Sequence, residues 1–379
     1  MSAGFGRHTV VSMLLKTILS FVLAVVPAAA PATPDIPVAE LRGRLTALAD
    51  GRDITAGLIH VRNGTRQWSD AVGVRDLASG TPAVAGGHFR IGSVTKTFAA
   101  TVLLQLTDEG RLALDDPIER HLPGVVPDGG RVTVRHVLQH TSGLHDYMSE
   151  PGYSTNRWRA DARFDDYTPS QLLKVAFAKG PDFENPGESW HYSNTNYVVA
   201  GLLIEKLTGR PYGEEVTRRI LRPLHLTHTS VPGHRSSLPV PHARGYEPLP
   251  TTPPSIVDAT DMDPSLDWAA GEMVSTTRDL TTFVTALIEG RLTSQASLTE
   301  MRRMREAVPL FRYGLGLQEF AIPCATGPKP VWGHTGQLIG YLTVAFTDGK
   351  GKSLTLSLNP HERDPSTEAV VSMATAVFC

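Results

Sequence analysis

Cysteine is nearly absent: the chain has only Cys324 and Cys379 among 379 residues. That scarcity excludes a disulfide-dense scaffold. With no C-x-x-C and no zinc-ligand spacing, it also excludes a dithiol redox centre and a structural zinc site. Net charge is equally small. Lys and Arg number 36 against 38 Asp and Glu, a balance of −2. This argues against nucleic acid or an anionic membrane as the main partner. There is no run of like charges, no internal repeat and no long low-complexity tract, which removes charged tails and solenoids from consideration. What remains is 41% hydrophobic and 20% charged, the composition of a soluble globular protein. The length suits one large domain or two ordinary ones.

The N-terminal residues differ from the rest. Arg7, His8 and Lys16 accompany an apolar run over 17–26, and VPAAAPA follows. A charged region, a short apolar region and small residues before a cleavage point form a secretory signal pattern. Residues 1–32 are therefore expected to be removed near Ala32, giving a secreted protein with no stable membrane insertion. The competing reading is an uncleaved anchor, but the run is short of the roughly 20 residues a spanning helix needs. In an exported protein, Cys324 and Cys379 are expected to form a disulfide closing a loop of about 55 residues. The competing reading is two buried free thiols.

Strand signals cluster at the two ends of the remaining chain. Residues 53–61 and 66–72 flank Arg62-Asn63-Gly64, a hairpin signal. Strands are expected again at 312–319, 340–348 and 353–358, the last two joined by the turn at 348–351. Helices are expected at 37–48, 97–106, within 271–288 and at 366–376. The stretch 112–260 reads as mainly helical, with candidates at 169–177, 194–207 and 213–220. Together these predict an α+β fold: an antiparallel five-stranded sheet flanked by helices, with a mainly helical domain inserted. A cleft between two such regions is a favoured place for a site.

Three segments carry chemistry. In FRIGSVTKTFAATVLLQLTDEG (89–110), Lys96 follows Ser93 by three at the start of an apolar helix. One turn brings an amine beside a hydroxyl, which can make the serine a nucleophile. By itself S-x-x-K arises readily by chance. In NPGESWHYSNTNYVVAGLLIEKLTG (185–209), Tyr192-Ser193-Asn194 precedes a clear helix, so a phenol and an amide sit on a loop at a helix start. In VWGHTGQLIGYLTVAF (331–346), His334-Thr335-Gly336 lies on or beside a strand, and Gly336 permits close backbone approach.

Ser-x-x-Lys, Tyr-x-Asn and His-Thr-Gly, in that order, resemble the three-motif signature of the serine penicillin-recognising enzymes. The Tyr-x-Asn motif is similar to the class C β-lactamase and D-alanyl-D-alanine carboxypeptidase branch. The segments VTVRHVLQHTSGLHDY (132–147), WAAGEMVSTTRDL (268–280) and YGLGL (313–317) look like parts of its secreted carboxypeptidases. The likeness extends over 33–379 and implies a β-lactamase/transpeptidase-like fold, no cofactor and a monomer.

The resemblance implies roles. Ser93 would be acylated, with Lys96 and Tyr192 as its proton-transfer network. Asn194 would position the substrate amide. Thr335 would contact a substrate carboxylate, beside His334, where many relatives carry lysine, and Gly336. The backbone N–H groups of Ser93 and Gln337 would form the oxyanion hole. Separately from the resemblance, Trp268, Tyr147 and Trp158 are candidates for lining the cleft, with core packing as the competing reading for each. The implied partners are a peptidoglycan stem peptide or another small amide or ester, with β-lactams as covalent ligands. The leading expectation is a D-alanyl-D-alanine carboxypeptidase. A class C-like β-lactamase, an esterase or D-amino-acid amidase, and a non-catalytic binding protein stand as alternatives. Gln318, just past YGLGL, and Gln337 depart from carboxylate-binding relatives. A metal site at His136, His140 and His145 is disfavoured for want of a carboxylate at ligand spacing. Glu184 and Glu188 are secondary candidates to activate a deacylating water.

Overall fold

Period-two alternation explains the sheet. In SLTLSL, near the C-terminus, Leu354, Leu356 and Leu358 point to one face and Ser353, Thr355 and Ser357 to the other, and all six are buried. A strand buried on both faces must be central, with cover on each side.

The computed structural model describes residues 35–154, 161–249, 255–362 and 364–379, with Asp35–Cys379 as one compact unit. The expected signal at 1–32 and Trp158 lie outside the described residues. The chain starts with helix α1 (Val38–Asp50), strands β1 (Ile54–Asn63), β2 (Arg66–Asp76), β3 (Thr81–Pro82) and β4 (Phe89–Arg90), then helix α2 (Val94–Asp108). Helices α3 (Ile118–His121), α4 (Val134–Leu138), α5 (Pro169–Phe177), α6 (Thr195–Thr208) and α7 (Tyr212–Val216) follow. Next come a hairpin of β5 (Tyr246–Leu249) and β6 (Ser255–Asp258), short β7 (Val274–Ser275), and helices α8 (Thr277–Ile288) and α9 (Gln295–Met301). Strands β8 (Arg305–Val308), β9 (Phe311–Tyr313), β10 (Gln318–Cys324), β11 (Gly327–Leu338), β12 (Tyr341–Thr347) and β13 (Lys352–Pro360) lead to the closing helix α10 (Thr367–Phe378). No helix among the described residues is long and apolar enough to cross a membrane.

The main sheet is antiparallel, in the order β3-β2-β1-β13-β12-β11-β10-β9-β8. Both ends of the chain thus meet at its centre, through the β1–β13 pair. One face packs on α1 and α10, burying Leu41, Leu45, Ile59, Leu356, Met373 and Phe378. The other packs on α8 and continues into the larger helical core around α2 and α6. There the hydroxyls of β13 find partners: Thr281 with Thr355 at 2.7 Å, and Thr285 with Ser353 at 2.9 Å.

The sheet has nine strands rather than the five expected. Strand β11 is signalled only around His334-Thr335-Gly336, because PKPVWGHTGQL is broken by prolines and glycines. Pro328 and Pro330 are tolerated because β12 flanks β11 only from Trp332 onward, so the proline segment has β10 alone beside it. The strand expected over 312–319 is split into β9 and β10 by an excursion at 314–317. There Gly316, at φ 67°, donates to Leu138 O at 3.0 Å and accepts from Thr97 Oγ1 at 2.8 Å. The helix expected over 213–220 stops at Val216 and continues as a π-helical turn, Thr217–Leu221.

Cys324 and Cys379 are bonded, with Cα atoms 5.4 Å apart and 55 residues of separation. The bond ties α10 to the end of β10. Replacing Cys379 with serine should lower the unfolding free energy by up to about 4 kcal/mol in urea denaturation. An unchanged midpoint would show that α10 is held by packing alone.

Candidate active site

Ser93 stands at the N-cap of α2, between a tight turn and a buried helix. Gly92 has φ 52°, and a side chain there would meet Gln337 N at 2.8 Å. Across from it, a Cβ on Gly336 would lie 1.9 Å from Ile91 O and 3.2 Å from Ser93 N. The two glycines thus let β11 press on the start of α2, bringing the backbones of Ser93 and Gln337 together. The Ser93 N–H has no backbone acceptor among the described residues, as the first turn of a helix leaves it.

Lys96 is fully buried one turn below the serine. Its Nζ lies 3.1 Å from Ser93 Oγ, 2.8 Å from Asn194 Oδ1 and 2.7 Å from Ala270 O. Burial pulls its pKa from an ordinary 10.5 to about 7, while the charges of Asp146 and Asp267 hold it up. A neutral amine has two N–H donors and one lone pair. Asn194 and the Ala270 carbonyl, which can only accept here, take the donors. The lone pair is left facing Ser93 Oγ. Tyr192 donates its hydroxyl to the same Oγ at 2.8 Å. Burial pushes that phenol far above its ordinary value, so it is a donor at neutral pH.

Asn194 is aimed by Asp146. Its Nδ2 donates to Asp146 Oδ2 at 3.1 Å, and its backbone N–H donates to Oδ1, also at 3.1 Å. With Nδ2 so engaged, Oδ1 must turn to Lys96.

His334 does not take the place of a lysine. A one-way chain of neutral groups fixes its protonation. Ser193 N–H donates to His140 Nδ1 at 3.2 Å, so His140 carries its proton on Nε2 and gives it to Tyr313 Oη at 3.2 Å. Tyr313 O–H then donates to His334 Nε2 at 2.9 Å, and His334 Nδ1–H donates to Thr335 O. Burial lowers His334 to a pKa of about 3 and His140 well below its ordinary value. The ring of His140 also stacks on Tyr192, 4.2 Å between centroids. Thr335 is likewise committed: its N–H and Oγ1 both donate to Gln318 Oε1, at 2.8 and 3.1 Å.

A cavity of about 580 Å³ opens over Ser93, Tyr192, Asn194 and Gln337. Met148, Leu338, Ile339 and Pro360 form apolar wall, and Glu247, Asp267 and Asp364 bring carboxylates. Among the described residues its wall holds no arginine or lysine. Trp268 is not part of it. That ring packs edge-on to Tyr212 at 5.0 Å and lines a separate cavity of about 620 Å³ with Glu205, Arg210 and Glu272. Tyr147 is core, its hydroxyl donated to Leu266 O. Glu184 and Glu188 lie away from Ser93, Glu188 accepting from Asn185 at 2.9 Å. Of the three histidines, His136 caps α4, His140 joins the chain above, and His145 sits between Asp182 and Glu150. No cluster fit for a metal exists among the described residues. Sequence reasoning missed Asp146, Asp267 and the Ala270 carbonyl. Asp146 lies inside HTSGLHDY, but no spacing rule links it to Asn194.

The Beta-lactamase family model matches residues 41–369, and the chain belongs to that family. It is 31% identical over 243 residues to the putative penicillin-binding protein PbpX of Bacillus subtilis, covering 64% of this chain and 56% of that one. It is 29% identical over 229 residues to Protein flp of Staphylococcus aureus, covering 59% and 43%. The chain thus spans about half the length of these relatives. Among solved structures, a D-stereospecific amidohydrolase from Streptomyces sp. is 40% identical at TM-score 0.82, covering 91% of this chain and 99% of that one. The D-amino acid amidase of Ochrobactrum anthropi SV3 is 28% identical at TM-score 0.78, covering 89% and 97%. The chain has the fold of these structures, with Ser93, Lys96 and Tyr192 joined by hydrogen bonds at its centre.

The neutral fraction of Lys96 rises with pH through about 7. On a neutral ester, kcat/KM should therefore climb across that range and level off above it. Lys96→Arg, which cannot lose its proton, should cut kcat by about 10²- to 10⁴-fold. A flat profile from pH 5 to 9 would remove Lys96 as base.

Proposed function

We propose that this protein hydrolyses amides of D-amino acids through a Ser93 acyl-enzyme, the scissile carbonyl bearing an uncharged leaving side rather than a free carboxylate. The carrying observation is that the described residues offer no cation where a carboxylate would bind. His334 is neutral and buried, the Thr335 hydroxyl donates its hydrogen bond to Gln318 Oε1, and the described cavity wall has no lysine or arginine. A carboxylate brought here would find no cation among the described wall residues. The names of the Streptomyces and Ochrobactrum proteins support the amide reading and the D configuration. For the same reason a carboxylate-ended stem peptide and penicillin should be poorer substrates than a neutral amide.

In this reading Lys96 accepts the Ser93 proton as Oγ bonds to the carbonyl carbon. The oxyanion forms between the N–H groups of Ser93 and Gln337. The proton returns by way of Tyr192 to the leaving nitrogen, the C–N bond breaks, and ammonia or an amine departs. Water then adds to the ester carbonyl, giving its proton to the same pair. The C–Oγ bond breaks, releasing the acid and restoring Ser93. The reading includes export, which the pattern of residues 1–32 and the Cys324–Cys379 bond support.

Ammonia release from D-alaninamide and D-alanine release from N-acetyl-D-alanyl-D-alanine are the deciding rates. The amide should be favoured about 10- to 100-fold in kcat/KM, the scale of one uncompensated charge. Ser93→Ala should abolish both while leaving circular dichroism unchanged. Faster release from the dipeptide would overturn the proposal in favour of a carboxypeptidase.

A further inference from the structure

Two loops carry groups that surround Ser93. One runs through 140–147 and holds Asp146; the other runs through 182–195 and holds Tyr192 and Asn194. Backbone bonds zip them together: Asp182 N–H to Gly143 O at 2.8 Å, Gly187 N–H to Thr141 O at 2.7 Å, and His191 N–H to His140 O at 3.0 Å. Gly143, at φ 80°, permits this approach, since a Cβ there would lie 2.6 Å from Phe183 O. Thr195 Oγ1 adds a donation to His145 O at 2.6 Å.

One side chain bridges the two loops. Asp182 Oδ1 accepts from His145 Nδ1 at 2.7 Å, and its Oδ2 accepts from His191 Nδ1 at 2.5 Å. A carboxylate only accepts, so both Nδ1 atoms carry protons. His145 is the residue before Asp146, and His191 is the residue before Tyr192. The bridge therefore stands one residue from the carboxylate that aims Asn194 and one residue from the phenol that donates to Ser93 Oγ. The side chains of His145 and Asp182 are only 18% and 22% exposed, so water and salt screen this pair less than a surface one. On its far side His145 Nε2 donates to Glu150 Oε1 at 3.1 Å, and Lys179 lies 3.3 Å from Glu150. Burial works against the proton of this ring, but Asp182 and Glu150 outweigh it and hold its pKa above the ordinary 6.5. A neutral ring still keeps the hydrogen on its shorter arm to Asp182, so the bridge does not depend on that charge.

We infer that Asp182 is a positioning residue for acylation, a carboxylate bridge that holds the Tyr192 phenol on Ser93 and, through Asp146, the Asn194 amide on Lys96. This rests on the Ser93 acyl-enzyme of the reading given above, and not on its amide substrate. Without the carboxylate the backbone zipper remains, while the side chains next to Asp146 and Tyr192 lose their common acceptor. A displacement of about 1 Å at a group that moves the proton is enough to cost about 100-fold in rate. The apolar wall of Leu338, Ile339 and Pro360 belongs to other segments and stays in place. The loss therefore falls on the rate at saturation and not on affinity.

The test follows the p-nitrophenol burst from p-nitrophenyl butyrate, a neutral ester, on the full chain. Asp182→Ala should slow acylation at saturating ester about 10- to 100-fold, with the half-saturating concentration within about threefold of wild type. Asp182→Asn should stay within about fivefold of wild type, because an amide accepts from one ring and donates to the other in its second tautomer. His191→Phe removes one arm at an exposed residue. It should slow acylation about threefold or more, and adding it to Asp182→Ala should cost less than about twofold further. Circular dichroism melts report that each variant is folded. The inference is overturned if Asp182→Ala acylates at the wild-type rate, if Asp182→Asn falls as far as the alanine variant, or if the loss lies in the half-saturating concentration alone. Should the alanine variant not fold, His191→Phe decides, and a wild-type rate there overturns the inference. A burst persisting in Ser93→Ala would remove the acyl-enzyme and this inference together. Faster release from the dipeptide than from the amide would overturn the amide reading and leave the bridge standing.

Discussion

The site depends on one unfavourable fact: a lysine amine held entirely out of water. A shift from 10.5 to about 7 costs the fold about 5 kcal/mol at pH values below 7. Because the unfolded chain binds that proton more tightly, the cost fades as pH rises and is gone above the unfolded value. A large part of a typical folding free energy is thus spent on one side chain. The return is a neutral amine at neutral pH, its two hydrogens fixed on Asn194 and Ala270 and its lone pair on Ser93. An exposed lysine would be charged and mobile, and could do neither.

That requirement explains why so much of the fold converges on the start of α2. Three segments close around Nζ, the helix itself, the loop before α6 and the turn at 267–270, while β11 presses on the turn that carries Ser93. Each is positioned by something rigid. The loop is held by Asp146 and by the stack of His140 on Tyr192. Strand β11 is held by the sheet and by the close approach at Gly92 and Gly336. The chain from Ser193 through His140 and Tyr313 to His334 joins loop and strand without any net charge. A buried network with every member satisfied can be rigid at little electrostatic cost.

Much of this was legible in the sequence because it is local. S-x-x-K reads as one helical turn, and Ser353–Leu358 as a two-faced strand, without any other part of the chain. The three motifs in order located Ser93, Lys96, Tyr192 and Asn194, and the structure brings these four together. What failed was non-local or was hidden by local rules. Strand β11 carries prolines that count against a strand, and only its stagger against β12 makes them harmless. Trp268 could be read as cleft or as core, and a positive φ turns it toward Tyr212. Asp146 and Ala270 act through contacts that span 48 and 174 residues, which no periodicity reports.

His334 shows how such a site can change its substrate while keeping its chemistry. A lysine at that position would offer a second ammonium near Lys96. Each charge would then depress the other, and a carboxylate would have a partner. A neutral imidazole removes the partner but leaves the acylation machinery untouched, because His334 spends both ring nitrogens on Tyr313 and Thr335. Gln318 acts in the same direction by engaging the Thr335 hydroxyl. Among the described residues of the wall, the charged side chains are Glu247, Asp267 and Asp364. On the amide reading, a neutral His334 and an engaged Thr335, more than the shape of the cavity, would set a substrate ending in a carboxylate apart from a neutral amide.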